Sequence, residues 1–279
     1  MKPAPFDYLR PDTLDEALSV LAEHGEDVRP MAGGQSLGAM LNMRIVTPAI
    51  LLDLNRLQEL SLIEGRTTGA LVRQRDALDH SEFGAAVPLL AQALPHVGHY
   101  QTRNRGTLGG SVAHADPSAE IPLTLATLGG EVELRSKRKA RRVPAVDFFR
   151  SALVTARQPD ELVTKLYWPA ASPTMRTAFV EFSVREGDFA IVAVACVLDE
   201  GSGRLRLGFG GCGETPQIVA RDGLGLFEAQ TIDDVLAEAA ASLDYRSDLL
   251  ATAAYRRQLA LVLGRQAVTQ ALKREAVHA

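Results

Sequence analysis

Two short glycine-rich stretches constrain this chain more than any other feature. They are Ala32-Gly33-Gly34-Gln35-Ser36 and Thr107-Leu108-Gly109-Gly110-Ser111, the second opening the longer run from Thr107 to Ile121. Glycine has no Cβ, so the backbone can adopt positive φ and press close to a ligand. Successive N–H groups in such a loop can satisfy the oxygens of a pyrophosphate with no side chain in the way. Ser36 and Ser111 add hydroxyl donors, and Gln35 adds an amide. A tight turn accounts for any single glycine pair. Two such pairs, each with a serine beside it, point to a bound dinucleotide.

The pattern is not the nicotinamide fingerprint. That fingerprint places G-x-G-x-x-G between a strand and a helix, with an acid near the end of the next strand. Gly33-Gly34 lacks this spacing, although Asp53 ends a predicted strand and mimics the ribose-binding acid.

At 279 residues the chain is long enough for two domains. Its net charge of -4 leaves no basic excess to attract nucleic acid. The basic run Arg135–Arg142 reads as a solvated hairpin turn, with a phosphate or partner patch as the other reading. Cys196 and Cys212 are the only cysteines, too few to hold an iron–sulfur cluster, and neither has a zinc spacing. His96 and His99 lack nearby ligands, so no metal site is expected. There is no basic-then-apolar leader and no apolar run of membrane-spanning length, so a cytoplasmic protein is expected.

Thr13 and Glu16 form a capping box, and Leu14, Ala17, Leu18 and Leu21 continue it as one apolar helical stripe ending at Gly25. Strands are predicted over 29–32, 49–53, 60–63, 67–71, 131–135 and 162–168, with Glu64-Gly65 as a turn. Helices are predicted over 39–44, 83–94 and 119–128, Pro88 interrupting the second and Pro122 lying in the first turn of the third. After Pro173 the composition shifts. Stretches 177–183, 191–199, 204–210 and 217–220 suggest an antiparallel sheet, and 232–241 and 249–273 suggest helices. The expected fold is α+β, with a domain boundary near Ala171.

Several motifs in this order resemble the FAD-binding medium subunit of the molybdenum hydroxylases, the family of xanthine dehydrogenase and aerobic carbon monoxide dehydrogenase. They are Phe6-Asp7-Tyr8, the run Ala32 to Leu37, Asp53-Leu54, Gly69-Ala70, Arg105 to Ser111, Ala115-Asp116-Pro117 with Glu120, Phe148-Phe149 and Asp160-Glu161-Leu162. Arg185, Gly187 to Ala190 and Tyr255-Arg256-Arg257 extend the match almost to the end. The resemblance implies a vanillyl-alcohol oxidase (PCMH)-type FAD-binding domain over 1–171, in subdomains of about 1–57 and 58–171. A smaller α+β C-terminal domain follows over 172–279. It implies that Ala32, Gly33, Gly34, Gln35, Ser36 and Leu37 face Thr107, Gly109, Gly110 and Ser111 across the FAD diphosphate. Leu162 to Leu166 would run beside the cofactor through backbone contacts, and Asp188 would approach the flavin from the C-terminal domain. Asp116 would contact the ribityl or ribose region, or cap the helix that follows, or both. His114 would line the flavin or bond backbone, with no acid–base role.

No catalytic base is expected in this chain. The resemblance implies that substrate is oxidised at a molybdopterin cofactor on a large partner subunit. A small subunit would carry two [2Fe–2S] clusters, and FAD here would pass electrons to an external acceptor. A dimer of heterotrimers is the implied assembly. The alternatives are a self-contained FAD-dependent oxidoreductase, a non-catalytic structural flavoprotein subunit, or an α+β binding domain without flavin.

Overall fold

The computed structural model describes residues 2–223 and 229–273. Residues 274–279 of the expected C-terminal domain lie outside them.

The chain opens with β1 (Asp7–Leu9), α1 (Leu14–His24), β2 (Val28–Met31), α2 (Leu37–Asn42) and β3 (Ile50–Asp53). Thr13 caps α1, its Oγ1 accepting the Glu16 N–H at 3.2 Å. The Glu16 carboxylate turns back to the N–H of Asp12 at 2.9 Å, so the box closes one residue before the cap. The stripe Leu14, Ala17, Leu18 and Leu21 is buried in one cluster with Val28, Ile50 and Leu52. The three strands form a parallel sheet in the order β1-β3-β2. The glycine loop at 32–36 leaves directly from the end of β2.

Next come β4 (Ile63–Glu64) and β5 (Thr67–Gly69), then the helices α3 (Gln74–Asp79), α4 (Ser81–Ala86), α5 (Pro88–Ala93), α6 (Tyr100–Arg105), α7 (Leu108–His114) and α8 (Glu120–Leu128). The strands β6 (Glu131–Arg135) and β7 (Ala140–Pro144), the turn α9 (Ala145–Phe148), a small hairpin of β8 (Phe149–Ser151) and β9 (Val154–Thr155), and β10 (Leu162–Tyr167) complete this part. A five-stranded sheet runs β4-β5-β10-β6-β7.

Four sequence expectations change here. The first half of the predicted strand 60–63 lies in a 3-10 turn over Gln58–Ser61, and only Ile63 is in β4. The predicted helix 83–94 splits at Val87, because Pro88 has no N–H to continue it and starts α5 instead. The second glycine stretch is not a loop but the first turn of α7, capped by Thr107. The last helix begins at Ala253 rather than at Leu249. The basic run forms the β6–β7 hairpin, and its arginines are partly consumed within the chain. Arg141 makes a two-pronged bond to Glu161 at 2.7 Å, and Arg142 lies 3.6 Å from the ring centroid of Tyr167.

The last part is an antiparallel meander of β11 (Met175–Phe182), β12 (Val192–Asp199), β13 (Arg204–Gly210) and β14 (Gln217–Asp222), followed by α10 (Ala229–Ser242) and α11 (Ala253–Lys273). Side chains alternate across a sheet, so its two faces carry two cores. Val192, Val194, Cys196 and Leu198 are buried with Leu236, Leu263 and Ala267 of α10 and α11. Ala193, Ala195 and Val197 are buried with Leu89 and Ala93 of α5 and Leu123 of α8. The meander is thus held between its own helices and the preceding part of the chain.

Candidate functional site

A cleft of about 610 Å³ runs where the three parts of the chain meet. That volume lies within the roughly 300–1,000 Å³ of sites that hold cofactor-sized molecules. Besides the glycine stretches it is lined by Arg29, Pro30, Met40, Val46, Leu54 and Arg157, and by Val97, Gly98, Thr102, His114, Asp116, Glu120, Leu153 and the segment Gly187 to Phe189. The Leu153 N–H donates to the Ala115 carbonyl at 3.0 Å, which sets Leu153 beside His114 and Asp116.

Ala32, Gly33, Gly34, Gln35, Ser36, Leu37, Thr107, Gly109, Gly110, Ser111, His114, Asp116, Leu162 and Asp188 all line this cleft. Leu166 does not. It sits in the middle of β10 with its side chain fully buried in the core beside Leu134 and Trp168, while Leu162 and Val163 at the start of the strand reach the cleft.

The two glycine stretches differ in what their backbones offer. The N–H groups of Gly33, Gly34, Gln35, Ser36 and Leu37 find no acceptor among the described residues. In the second stretch the donors from Leu108 to Ser111 are all taken. Leu108 N–H bonds Val72 at 2.9 Å, Gly109 bonds Ala70 at 3.0 Å, and Ser111 bonds the Thr107 carbonyl at 3.1 Å. Gly110 N–H donates to Thr107 Oγ1 at 2.9 Å. The expectation of free donors in both stretches therefore holds for the first alone. The second contributes the Ser111 hydroxyl, which has no hydrogen bond among the described residues.

Gly34 adopts φ +71°, a conformation other residues reach only with strain. Gly33 is required for a different reason: a Cβ there would overlap the carbonyl of Arg105, so the two stretches touch backbone to backbone. A polar clamp holds them in this contact. Asn55 Nδ2 donates to the Ala32 carbonyl at 2.9 Å, and its Oδ1 accepts from Arg73 Nη2 at 2.6 Å. Arg73 Nη1 in turn donates to the Arg105 carbonyl.

Asp53 anchors the clamp, with Oδ1 accepting from the Asn55 N–H at 3.0 Å and Oδ2 accepting from the Tyr8 hydroxyl. Burial pushes the Asp53 carboxyl up, but the bonds from Tyr8 and Asn55 and the nearby Arg10 hold it below its ordinary range. Asp53 is a structural anchor for the loop. Asn55 and Arg73 escaped the sequence reading because neither stands in a recognisable motif.

Asp116 Oδ1 accepts the Ser118 N–H at 2.8 Å, fixing the turn before α8, and the residue also lines the cleft. His114 is kept neutral by burial, which outweighs the charge of Asp116. Asp188 pairs with Arg185 at 3.0 Å in the turn at Gly187. Arg29 and Arg157 bring positive charge to the cleft. Burial and the charge of Arg29 lower the Arg157 value, and Arg157 Nη1 bonds the Glu161 carbonyl at 2.8 Å. Two lining residues carry unusual polar groups: Gln74, which the sequence reading missed, and Glu120, which it quoted in a motif without a site role. Gln74 is buried and its Oε1 has no partner among the described residues. Burial pushes the Glu120 carboxyl up to about 8.

Cys196 and Cys212 are fully buried, and burial pushes both thiols up to about 12. Among the described residues no group of three His, Cys, Asp or Glu is placed to hold a metal. No described helix is long and apolar enough to cross a membrane.

Comparison with known proteins agrees with this geometry. Residues 4–171 match the model of the FAD binding domain in molybdopterin dehydrogenase. Residues 177–271 match the model of the CO dehydrogenase flavoprotein C-terminal domain. The chain is 38% identical to the caffeine dehydrogenase subunit beta of Pseudomonas sp. strain CBB1, over 77% of this chain and 76% of that one. It is 33% identical to the glyceraldehyde dehydrogenase medium chain of Sulfolobus acidocaldarius, over 94% and 97% respectively. The solved reconstituted CO dehydrogenase from Oligotropha carboxidovorans contains a chain that superimposes with a TM-score of 0.92 at 32% identity, covering 97% of this chain and 99% of that chain.

Proposed function

This chain belongs to the family of FAD-binding medium subunits of molybdopterin dehydrogenases, and we propose that it binds one FAD along the cleft and relays electrons through it. The observation that carries this reading is the run of free N–H groups from Gly33 to Leu37 lining the cleft. Such a run matches a diphosphate. The orphaned Gln74 Oε1 and the free Ser111 hydroxyl fit the ribityl and phosphate oxygens on either side. The adenosine lies toward Arg29 and Arg157, and the isoalloxazine toward His114, Asp116, Glu120 and Asp188. We assign the parallel sheet and the five-stranded sheet to two PCMH-type subdomains, of about 1–57 and 58–171, with 172–279 closing the flavin end.

Bound FAD supplies a centre that accepts electrons singly and delivers them in pairs. This chain's residues orient it and set its surroundings. In this reading the iron–sulfur clusters and molybdopterin sit on partner subunits, which suits a chain with no group of three His, Cys, Asp or Glu placed to hold a metal among its described residues. The relatives' own names, subunit beta and medium chain, describe parts of larger enzymes. The reading places a small [2Fe–2S] subunit as electron donor, a large molybdopterin subunit as the place of substrate oxidation, and two such trimers in the assembly. Two unpaired cysteines suit a reducing compartment such as the cytoplasm.

The test is to assemble the FAD-loaded chain with its two partners and add reduced iron–sulfur subunit under anaerobic conditions. Bleaching of the oxidised flavin is the expected result. A flavin that stays oxidised in the assembled complex would sink the relay and leave a structural flavoprotein.

A further inference from the structure

The clamp behind the first glycine stretch is also a series of donors. Arg73 Nη2 donates to Asn55 Oδ1 at 2.6 Å, and Asn55 Nδ2 donates to the Ala32 carbonyl at 2.9 Å. That carbonyl belongs to the same planar peptide group as the Gly33 N–H. The Gly33 N–H finds no acceptor among the described residues, and Gly33 lines the cleft. The series therefore runs from guanidinium to side-chain amide to peptide, each donating to the next, and it ends on a free donor. Hydrogen bonds in such a series polarise one another. A cation at its head makes the last N–H a stronger donor to an anion.

The charge of Arg73 is left without a carboxylate of its own. Its guanidinium bonds two neutral acceptors, Asn55 Oδ1 and the Arg105 carbonyl. Burial and the charge of Arg105 lower the Arg73 value, and the charges of Asp76 and Asp53 offset them only in part. Asp53 accepts from Asn55 as well, but its charge is met by Arg10 at 3.5 Å and by the Tyr8 hydroxyl. Holding two backbones together needs donors, which a neutral side chain supplies. It does not need a half-buried cation without a counter-ion, which costs stability. The arginines that line the cleft, Arg29 and Arg157, stand outside both glycine stretches, so the cation bonded into the loop from behind is Arg73.

We propose that Arg73 is a positioning residue that supplies counter-charge to the FAD diphosphate through Asn55 and the Ala32–Gly33 peptide. The proposal rests on the reading of the cleft as a flavin site. The free N–H run offers only partial charges to a doubly charged group. A guanidinium set behind it adds the missing charge without entering the cleft, so that backbone alone meets the phosphates.

The experiment is titration of the flavin-free full chain with FAD and, separately, with riboflavin, which lacks the diphosphate, followed by flavin fluorescence. Arg73→Gln keeps a hydrogen-bonding side chain and removes the charge. It should weaken FAD binding about tenfold or more and leave riboflavin binding as in the wild type. Arg73→Lys gives up the fork and keeps the charge, and it should retain most of the FAD affinity. A clamp without an electrostatic role would make Arg73→Lys no better than Arg73→Gln, and that result overturns the proposal. Equal weakening of FAD and riboflavin overturns it too. Should Arg73→Gln not fold, Asn55→Ala cuts the series and leaves the charge in place, and wild-type FAD affinity in that variant is then the contrary result. Each of these outcomes leaves the flavin site standing. A wild-type chain that takes up no FAD overturns both.

Discussion

Gly34 and Glu120 show how single residues in the cleft answer to different constraints. Gly34 sits at φ +71° with only the Met31 side chain near the position of a Cβ, so its demand is conformational rather than steric. Gly34→Ala is expected to cost about 1–2 kcal/mol of loop geometry. That appears as FAD binding weakened about tenfold with little change in Tm, read by fluorescence titration. Asp116 separates two roles by substitution. Asp116→Asn keeps an acceptor for the Ser118 N–H, whereas Asp116→Ala loses it and about 1 kcal/mol of stability. Equal FAD affinity in the two variants would make the residue a cap and nothing more. Glu120 carries a pH signature of its own. Its folded value of about 8 lies above its ordinary 4.5, so the folded chain holds a proton that the unfolded chain has released. The associated stability is complete below the ordinary value and is lost as pH rises through the folded one. Denaturant titrations at pH 5 and pH 9 should therefore show Glu120→Gln gaining on the wild type with rising pH, by a total on the order of a few kcal/mol. A pH-independent difference would contradict the buried-acid account.

Between elements, the clamp from Asp53 through Asn55 and Arg73 joins the end of β2 to the entry of α7, and its energy belongs to the set. Asn55→Ala removes the bond to the Ala32 carbonyl and leaves the half-buried Arg73 guanidinium short of a partner. A cost of about 1–3 kcal/mol follows. A double-mutant cycle with Arg73→Ala should show coupling of about 1 kcal/mol or more, since the two side chains share one network. Strict additivity would mean the loops are held by packing alone.

The same region shows what could be read in advance. The stripe of α1, the antiparallel meander and the glycine positions announce themselves by period and residue type. The first turn of α7 does not, because a glycine pair reads as a loop until Thr107 is seen accepting the Gly110 N–H. The resemblance implies backbone contacts to the cofactor along Leu162 to Leu166. A bulge between Val163 and Lys165 breaks the alternation that would put the two leucines on one face, and the Leu166 side chain lies in the core. Asn55 and Arg73 draw their roles from partners 18, 23 and 32 residues away in sequence, which no local pattern announces.

At the scale of the whole molecule, the meander shares an apolar core with α5 and α8 and is tied to the segment before α8 by polar bonds. Gly211 N–H donates to the Pro117 carbonyl at 2.8 Å, and Arg246 Nη2 donates to Ser118 Oγ at 3.1 Å. The fully buried Arg256 holds the Ile191 carbonyl at 2.5 Å and the Gly211 carbonyl at 2.7 Å, fixing the strand entry that follows Phe189. The first part of the chain is therefore not expected to stand alone. A fragment ending at residue 171 would expose Leu89, Ala93 and Leu123, and should aggregate or bind a hydrophobic dye that the full chain ignores. A monomeric, dye-silent fragment would mean that the interface is dispensable. The most direct measurement of the central claim is the visible spectrum of the purified full chain, with the released cofactor identified and counted after denaturation. One FAD per chain, retained through purification or after incubation with FAD, is the predicted result. A folded chain that takes up no flavin from excess FAD would contradict the account.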